Sequence, residues 1–230
     1  MQANLQTFES RDALMQAAAG EMMRDLGQAV ALRGQACAAL SGGTTPGAAY
    51  ERLAASNLDW PKITFALVDE RFVPPSDPTS NEALVRRTLA PALAQGARVA
   101  PMYAADASLD EAAARASALY APLHIDVALM GMGEDAHTAS WFPDADRLRE
   151  ALDLCSLANV IAVRAPSAAG SRDRLTLTRA ALARAGGVVL LICGDDKRAR
   201  LDWALAQPPE KAPVAALFDG GPIPRVLWAS

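Results

Sequence analysis

The residues best suited to chemistry lie in one stretch, Gly131-Met132-Gly133-Glu134-Asp135-Ala136-His137-Thr138-Ala139-Ser140-Trp141-Phe142-Pro143. Histidine is the one side chain whose ordinary pKa lies near neutrality, and the sequence has two, His124 and His137. His137 stands two residues after Asp135, in a turn that follows the apolar run Ile125–Met130. An imidazole beside a carboxylate suits a general base and the group that orients it. The pair also reads as a satisfied structural contact, but the Gly-x-Gly break before it favours function. His124, in Pro122-Leu123-His124-Ile125, has no such surroundings and reads as structural.

Three more clusters carry polar groups of the right kind. Ser41-Gly42-Gly43-Thr44-Thr45 separates an apolar run from a helix start. Taken alone it reads first as a tight turn with a threonine cap. Its other reading is an anion cradle, with glycines admitting a ligand to free N–H groups and hydroxyls. Asp69-Glu70-Arg71 reads as an internal ion-pair network, or as a site where Arg71 grips an oxyanion and Asp69 positions it or binds a hydroxyl. Lys197, after Gly194-Asp195-Asp196, falls in the first turn of a helix. Alone it is a solvent-facing residue there, yet a cation gains nothing from a helix N-terminus. That misfit makes it a candidate for an anion. Arg174, beside Thr176 and Thr178, and Arg172 are alternatives for the same work.

Positioning these groups requires a scaffold, and the apolar pattern describes one. A capped amphipathic helix is expected over 10–33, with Leu14, Met15, Ala18, Met22, Leu26 and Val30 on one side and Ser10 at its start. Strands are expected at 36–40, 63–68, 125–130, 159–163, 187–193 and 225–228, with helices at 47–55, after Ser80-Asn81, at 106–121, after His137, at 175–185 and at 198–206. Alternating helices and near-continuous apolar strands predict an α/β fold: a doubly wound, mostly parallel sheet with helices on both faces, in one compact domain over 1–230. Four of the strands end in the clusters above. Ligands of open parallel sheets bind beyond the carboxyl ends of the strands, so the clusters are expected to form one composite site.

Composition sets outer bounds. The chain has 230 residues, 51% hydrophobic and 21% charged, with a net charge of −4. That balance argues against broad nucleic-acid binding and leaves room for a small phosphorylated ligand. Cys37, Cys155 and Cys193 form no metal-binding spacing and read as reduced core or near-core thiols of a cytosolic protein. Met1 to Asp12 lacks the pattern of a secretory signal, and no run approaches the roughly 18 apolar residues of a membrane span. The expectation is a soluble cytoplasmic protein without membrane or nucleic-acid partners.

The ordered set of motifs resembles the 6-phosphogluconolactonase family, of the glucosamine-6-phosphate isomerase/6-phosphogluconolactonase superfamily. The resemblance spans about residues 41–217. It rests on Ser41–Pro46, Asp69–Arg71 with Ser80-Asn81, Gly131–Pro143, Arg174-Leu175-Thr176, Gly194–Lys197 and Pro213–Leu217. Ala136 departs from the glycine usual in the central motif, as Thr44 and Trp141 depart from Ser and Leu. The resemblance implies hydrolysis of 6-phosphoglucono-δ-lactone to 6-phosphogluconate in the oxidative pentose phosphate pathway, with a phosphosugar lactone as the small-molecule partner. It implies His137, Asp135 and Arg71 as catalytic residues and Gly42, Gly43, Thr44, Thr45, Asp69, Arg71, Arg174 and Lys197 at the substrate. A backbone N–H near Gly131–Gly133, or Arg71, is left to stabilise the oxyanion. No cofactor and no metal are expected, and a monomer or weak dimer. The alternatives are a sugar-phosphate isomerase or deaminase on the same fold, which needs an acid after His137 that Thr138–Pro143 does not supply, and a non-catalytic phosphosugar-binding regulator.

Overall fold

The computed structural model describes residues 4–230. Along the chain lie β1 (Asn4–Phe8), α1 (Arg11–Arg33), β2 (Ala36–Leu40), α2 (Gly47–Ala54), β3 (Ile63–Leu67), β4 (Asp69–Arg71), α3 (Asn81–Thr88), α4 (Ala90–Ala94) and β5 (Arg98–Val99). There follow α5 (Leu109–Tyr120), β6 (Val127–Met130), α6 (Leu148–Ala151), β7 (Val160–Arg164), β8 (Asp173–Leu177), α7 (Arg179–Ala183), β9 (Val188–Cys193), α8 (Asp195–Ala204) and β10 (Arg225–Ala229).

Seven strands form one sheet in the order β1-β10-β9-β6-β2-β3-β5, and every pair in it is parallel. The chain winds from β2 through β3 to β5 in one direction. It winds through β6, β9 and β10 in the other, so the winding reverses beside β2 and β6. Every residue of β2 and β6 is buried, which is why these strands read as unbroken apolar runs rather than alternating ones. The long helix α1 packs along β1, β2, β6, β9 and β10. Ser10 caps it by accepting the Ala13 N–H, and Gly34 ends it with φ 72°, a conformation that glycine adopts without strain.

A second sheet was not expected. β4, β8 and β7 pair antiparallel, and α5 packs on β7 and β8. Val68 hands the chain from one sheet to the other. Its N–H donates to the Leu40 carbonyl of the large sheet, and its carbonyl accepts the Leu177 N–H of the small one. Asp69–Arg71 is therefore not the tail of β3 but a strand of its own. The helix expected at 175–185 is instead the end of β8 followed by the five-residue α7. Arg174, Thr176 and Thr178 alternate with Leu175 and Leu177, a period of two that belongs to a strand, and the Thr178 hydroxyl then caps α7.

Two further expectations fail. No helix follows His137: turns run to α6 at Leu148. Cys155 is exposed, whereas Cys37 is buried and Cys193 half-buried. β1 was not foreseen, being a mostly exposed edge strand paired only with β10. Among the described residues no helix is long and apolar enough to cross a membrane.

Candidate active site

A cleft of about 680 Å³ opens beyond the carboxyl ends of β9, β6, β2 and β3. Those strands are neighbours, so the four clusters meet at one edge, beside the place where the winding reverses. Gly42, Gly43, Thr44, Thr45, Asp69, Arg71, Asp135, His137, Arg174 and Lys197 all line this cleft. Arg172 is exposed and does not.

The His137 turn is closed by its own hydrogen bonds. The Thr138 hydroxyl donates to the Gly131 carbonyl at 2.8 Å, and the Gly133 N–H donates to the His137 carbonyl at 2.9 Å. The Gly133 amide is thereby spent, which removes it from the oxyanion donors expected at this turn. One carboxylate oxygen of Asp135 accepts the His137 backbone N–H at 3.1 Å and lies 2.5 Å from Nδ1 of the ring. Burial alone raises the Asp135 carboxyl, but its contacts with His137 more than offset this, and it lies below its ordinary range. With Nδ1 paired to a carboxylate, Nε2 is the nitrogen left for a reacting proton.

Gly133 has to be glycine. A Cβ there lies 2.1 Å from Nδ1 and 2.2 Å from Cε1 of His137, so the imidazole rests on bare backbone. Ala136 takes φ 68°, the left-handed conformation that glycine adopts without strain, and its methyl is buried. Its carbonyl accepts the Val214 N–H at 3.0 Å, which ties the turn to the late segment Pro213–Phe218. Trp141, fully buried, donates from Nε1 to the Leu177 carbonyl at 2.8 Å and fastens the turn to β8.

The small sheet supplies two cations to the same cleft. The register of β4 on β8 sets Arg71 directly across from Arg174. Like charges opposed in this way repel; burial is what chiefly pulls Arg174 below its ordinary pKa, with Asp69 opposing the shift and Arg71 adding less to it. Arg174 is only 3% exposed and donates to two carbonyls, Ser171 from Nε and Ala169 from Nη2. Arg71 donates to the Thr79 carbonyl, and its Nε has no partner among the described residues. A phosphate would relieve both groups. Lys197 reaches across from α8 and donates to the Met132 carbonyl at 3.0 Å.

Asp69 does not position Arg71. Its carboxylate accepts the Ser140 hydroxyl at 2.5 Å and the Asn81 amide at 3.2 Å. Glu70, fully buried, takes no part in the cleft. It accepts the backbone N–H groups of Arg71, Asn81 and Glu82 and the Ser80 hydroxyl, holding the start of α3 against β4. Asn81 was missed as a site residue. It is 2% exposed, lines the cleft, and lies so close to Gly42 that a Cβ there falls 1.8 Å from its Oδ1. Phe142 and Ser167, also in the lining, were missed as well. A pair such as Gly42 and Asn81, far apart in sequence, leaves no local pattern to find. Phe142 stood within the central motif without a role of its own.

Fold and cleft together define a doubly wound α/β protein whose candidate ligand site sits at the reversal of its sheet and combines an Asp–His pair with a cluster of cations. Residues 9–228 match the family of glucosamine-6-phosphate isomerases/6-phosphogluconolactonase, and the chain belongs to it. It is 44% identical to a 6-phosphogluconolactonase of Mesorhizobium japonicum, covering 98% of this chain and 95% of that protein. It is 42% identical to one of Rhizobium meliloti over the whole of both. A crystal structure of a 6-phosphogluconolactonase from Shewanella baltica superposes with a TM-score of 0.92 at 28% identity, covering 100% of this chain and 98% of that one.

Proposed function

We propose that the chain hydrolyses 6-phosphoglucono-δ-lactone to 6-phosphogluconate, with His137 as general base. The observation that carries the reading is that the His137–Asp135 pair and two register-paired arginines line one cleft. A substrate with a phosphate at one end and an ester at the other fits both.

The phosphate is held by the Gly42–Thr45 loop with Arg71, Arg174 and Lys197. Binding energy at that remote dianion orients the lactone carbonyl. Nε2 of His137 takes a proton from water as the water oxygen bonds to C1. Asp135 holds the ring and stabilises the imidazolium that forms, the carboxylate role in a triad without the serine. The carbonyl electrons move to the exocyclic oxygen as the tetrahedral centre forms. As the tetrahedral centre collapses, the C1–ring-oxygen bond breaks and the imidazolium returns its proton to the leaving oxygen.

The test is lactone generated fresh from glucose 6-phosphate, with product followed through 6-phosphogluconate dehydrogenase and the spontaneous rate subtracted. Acceleration by the folded chain is expected. Its absence, with glucosamine 6-phosphate turned over instead, would contradict the reading.

A further inference from the structure

The His137 ring is held on more sides than a general base strictly needs. Nδ1 is fixed by Asp135, and the Gly133 backbone closes one approach to Nδ1 and Cε1. Phe142 supplies a third constraint. Its ring lies 3.9 Å from the imidazole, centroid to centroid, with 27° between the planes, a stacked contact. Phe142 is nearly buried, yet it lines the cleft and carries the Arg174 guanidinium 5.7 Å from its ring centre.

We propose that Phe142 is a positioning residue for His137: its π face sets the plane of the imidazole and stabilises the imidazolium formed when the base takes its proton. The proposal rests on the hydrolytic reading above. An aliphatic side chain of similar size fills the same space and would serve if packing were the only demand. A stacked aromatic ring does two things more. It restricts rotation of the imidazole about its Cβ bond, keeping Nε2 aimed, and its quadrupole attracts the cationic form. The other charged groups lining the cleft with the ring are Asp135 and Glu134 on its own turn, Asp69 and Arg71 on β4, Arg174 on β8 and Lys197 on α8. Of these, Arg174 rests on the Phe142 ring, but its hydrogen bonds to the Ser171 and Ala169 carbonyls hold it independently of that ring.

The experiment compares Phe142→Leu and Phe142→Tyr with the wild type, with Phe142→Met in reserve should the leucine variant not fold. Phe142→Leu is expected to lower kcat about 10-fold with KM within twofold, since a small misplacement of a base is costly. Losing the π face disfavours the cation, so the acid limb of its pH–rate profile moves down by about half a unit. Phe142→Tyr, which restores the ring, recovers both. A second readout does not need turnover. Nitrogen NMR resolves the tautomer and mobility of the imidazoles, and with only two histidines present His124→Gln assigns them. In the leucine variant the His137 resonances should report a mobile ring. Wild-type kcat, pH profile and ring order in folded Phe142→Leu would overturn the proposal. So would a rise in KM alone, which would make Phe142 a substrate contact. If the wild type itself does not hydrolyse the lactone, the hydrolytic reading fails, and the NMR comparison still decides whether Phe142 orders His137.

Discussion

The parallel sheet and the small antiparallel sheet contribute to the cleft in different ways. The parallel sheet places His137, Asp135, the Ser41–Thr45 loop and Lys197 on turns or helix starts beyond its strand ends. The antiparallel sheet presents Asp69, Arg71 and Arg174 from the strands themselves. A turn residue is aimed by local hydrogen bonds, here those of Asp135, Gly133 and Thr138. A strand residue is aimed by register, and the ladder between β4 and β8 holds Arg71 and Arg174 opposite one another. The proposed base is thus set by turn chemistry and the proposed anion site by strand pairing. The two should fail separately.

His137→Ala should produce the largest effect. Turnover falls by roughly 10²–10⁴-fold, the usual worth of a general base, with the circular dichroism spectrum unchanged. Next, Arg174→Gln should raise KM by about 10–100-fold, the loss of one charge-assisted hydrogen bond to phosphate, while kcat changes by no more than a few-fold. The stabilisation gained on adding 6-phosphogluconate, read as a thermal shift, should shrink with it.

Asp135→Asn tests the turn through acid stability. The folded carboxyl lies below its ordinary value. The carboxylate therefore adds stability that is complete above the unfolded value of about 3.9 and is lost as pH falls through the lower folded one. Denaturation midpoints measured from pH 6 down to pH 2.5 should fall less steeply below about pH 4 in Asp135→Asn than in the wild type. The smallest effect belongs to Ala136→Gly. Relief of the left-handed alanine is worth about 1 kcal/mol, and the looser unfolded chain takes back about half of that. A thermal melt should show a gain of about 0.5 kcal/mol with kcat unchanged, because Gly133 and Asp135 still hold the ring.

The same contrast governs what the sequence reveals. Strands buried on both faces, such as Val127–Met130 and Val188–Cys193, announce themselves as apolar runs, and the polar clusters ending them predicted both the cleft and most of its lining. The small sheet was hidden. Asp69–Arg71 is three residues long and follows β3 after a single valine. Asp173–Leu177 carries leucines and an arginine that also suit a helix, and its pairing to β4 joins residues about a hundred positions apart. Asn81 was passed over for the same reason, since its place in the site depends on Gly42 and Asp69. Ala136 is the opposite case, a local departure from the motif whose positive φ could be anticipated.

One measurement tests the division of labour most directly: kcat and KM for freshly generated lactone with the wild type, His137→Ala and Arg174→Gln in a single assay. The account predicts that His137→Ala loses kcat and keeps KM, while Arg174→Gln loses KM and keeps kcat. Near-wild-type kcat in folded His137→Ala, or both variants failing in the same parameter, would contradict it.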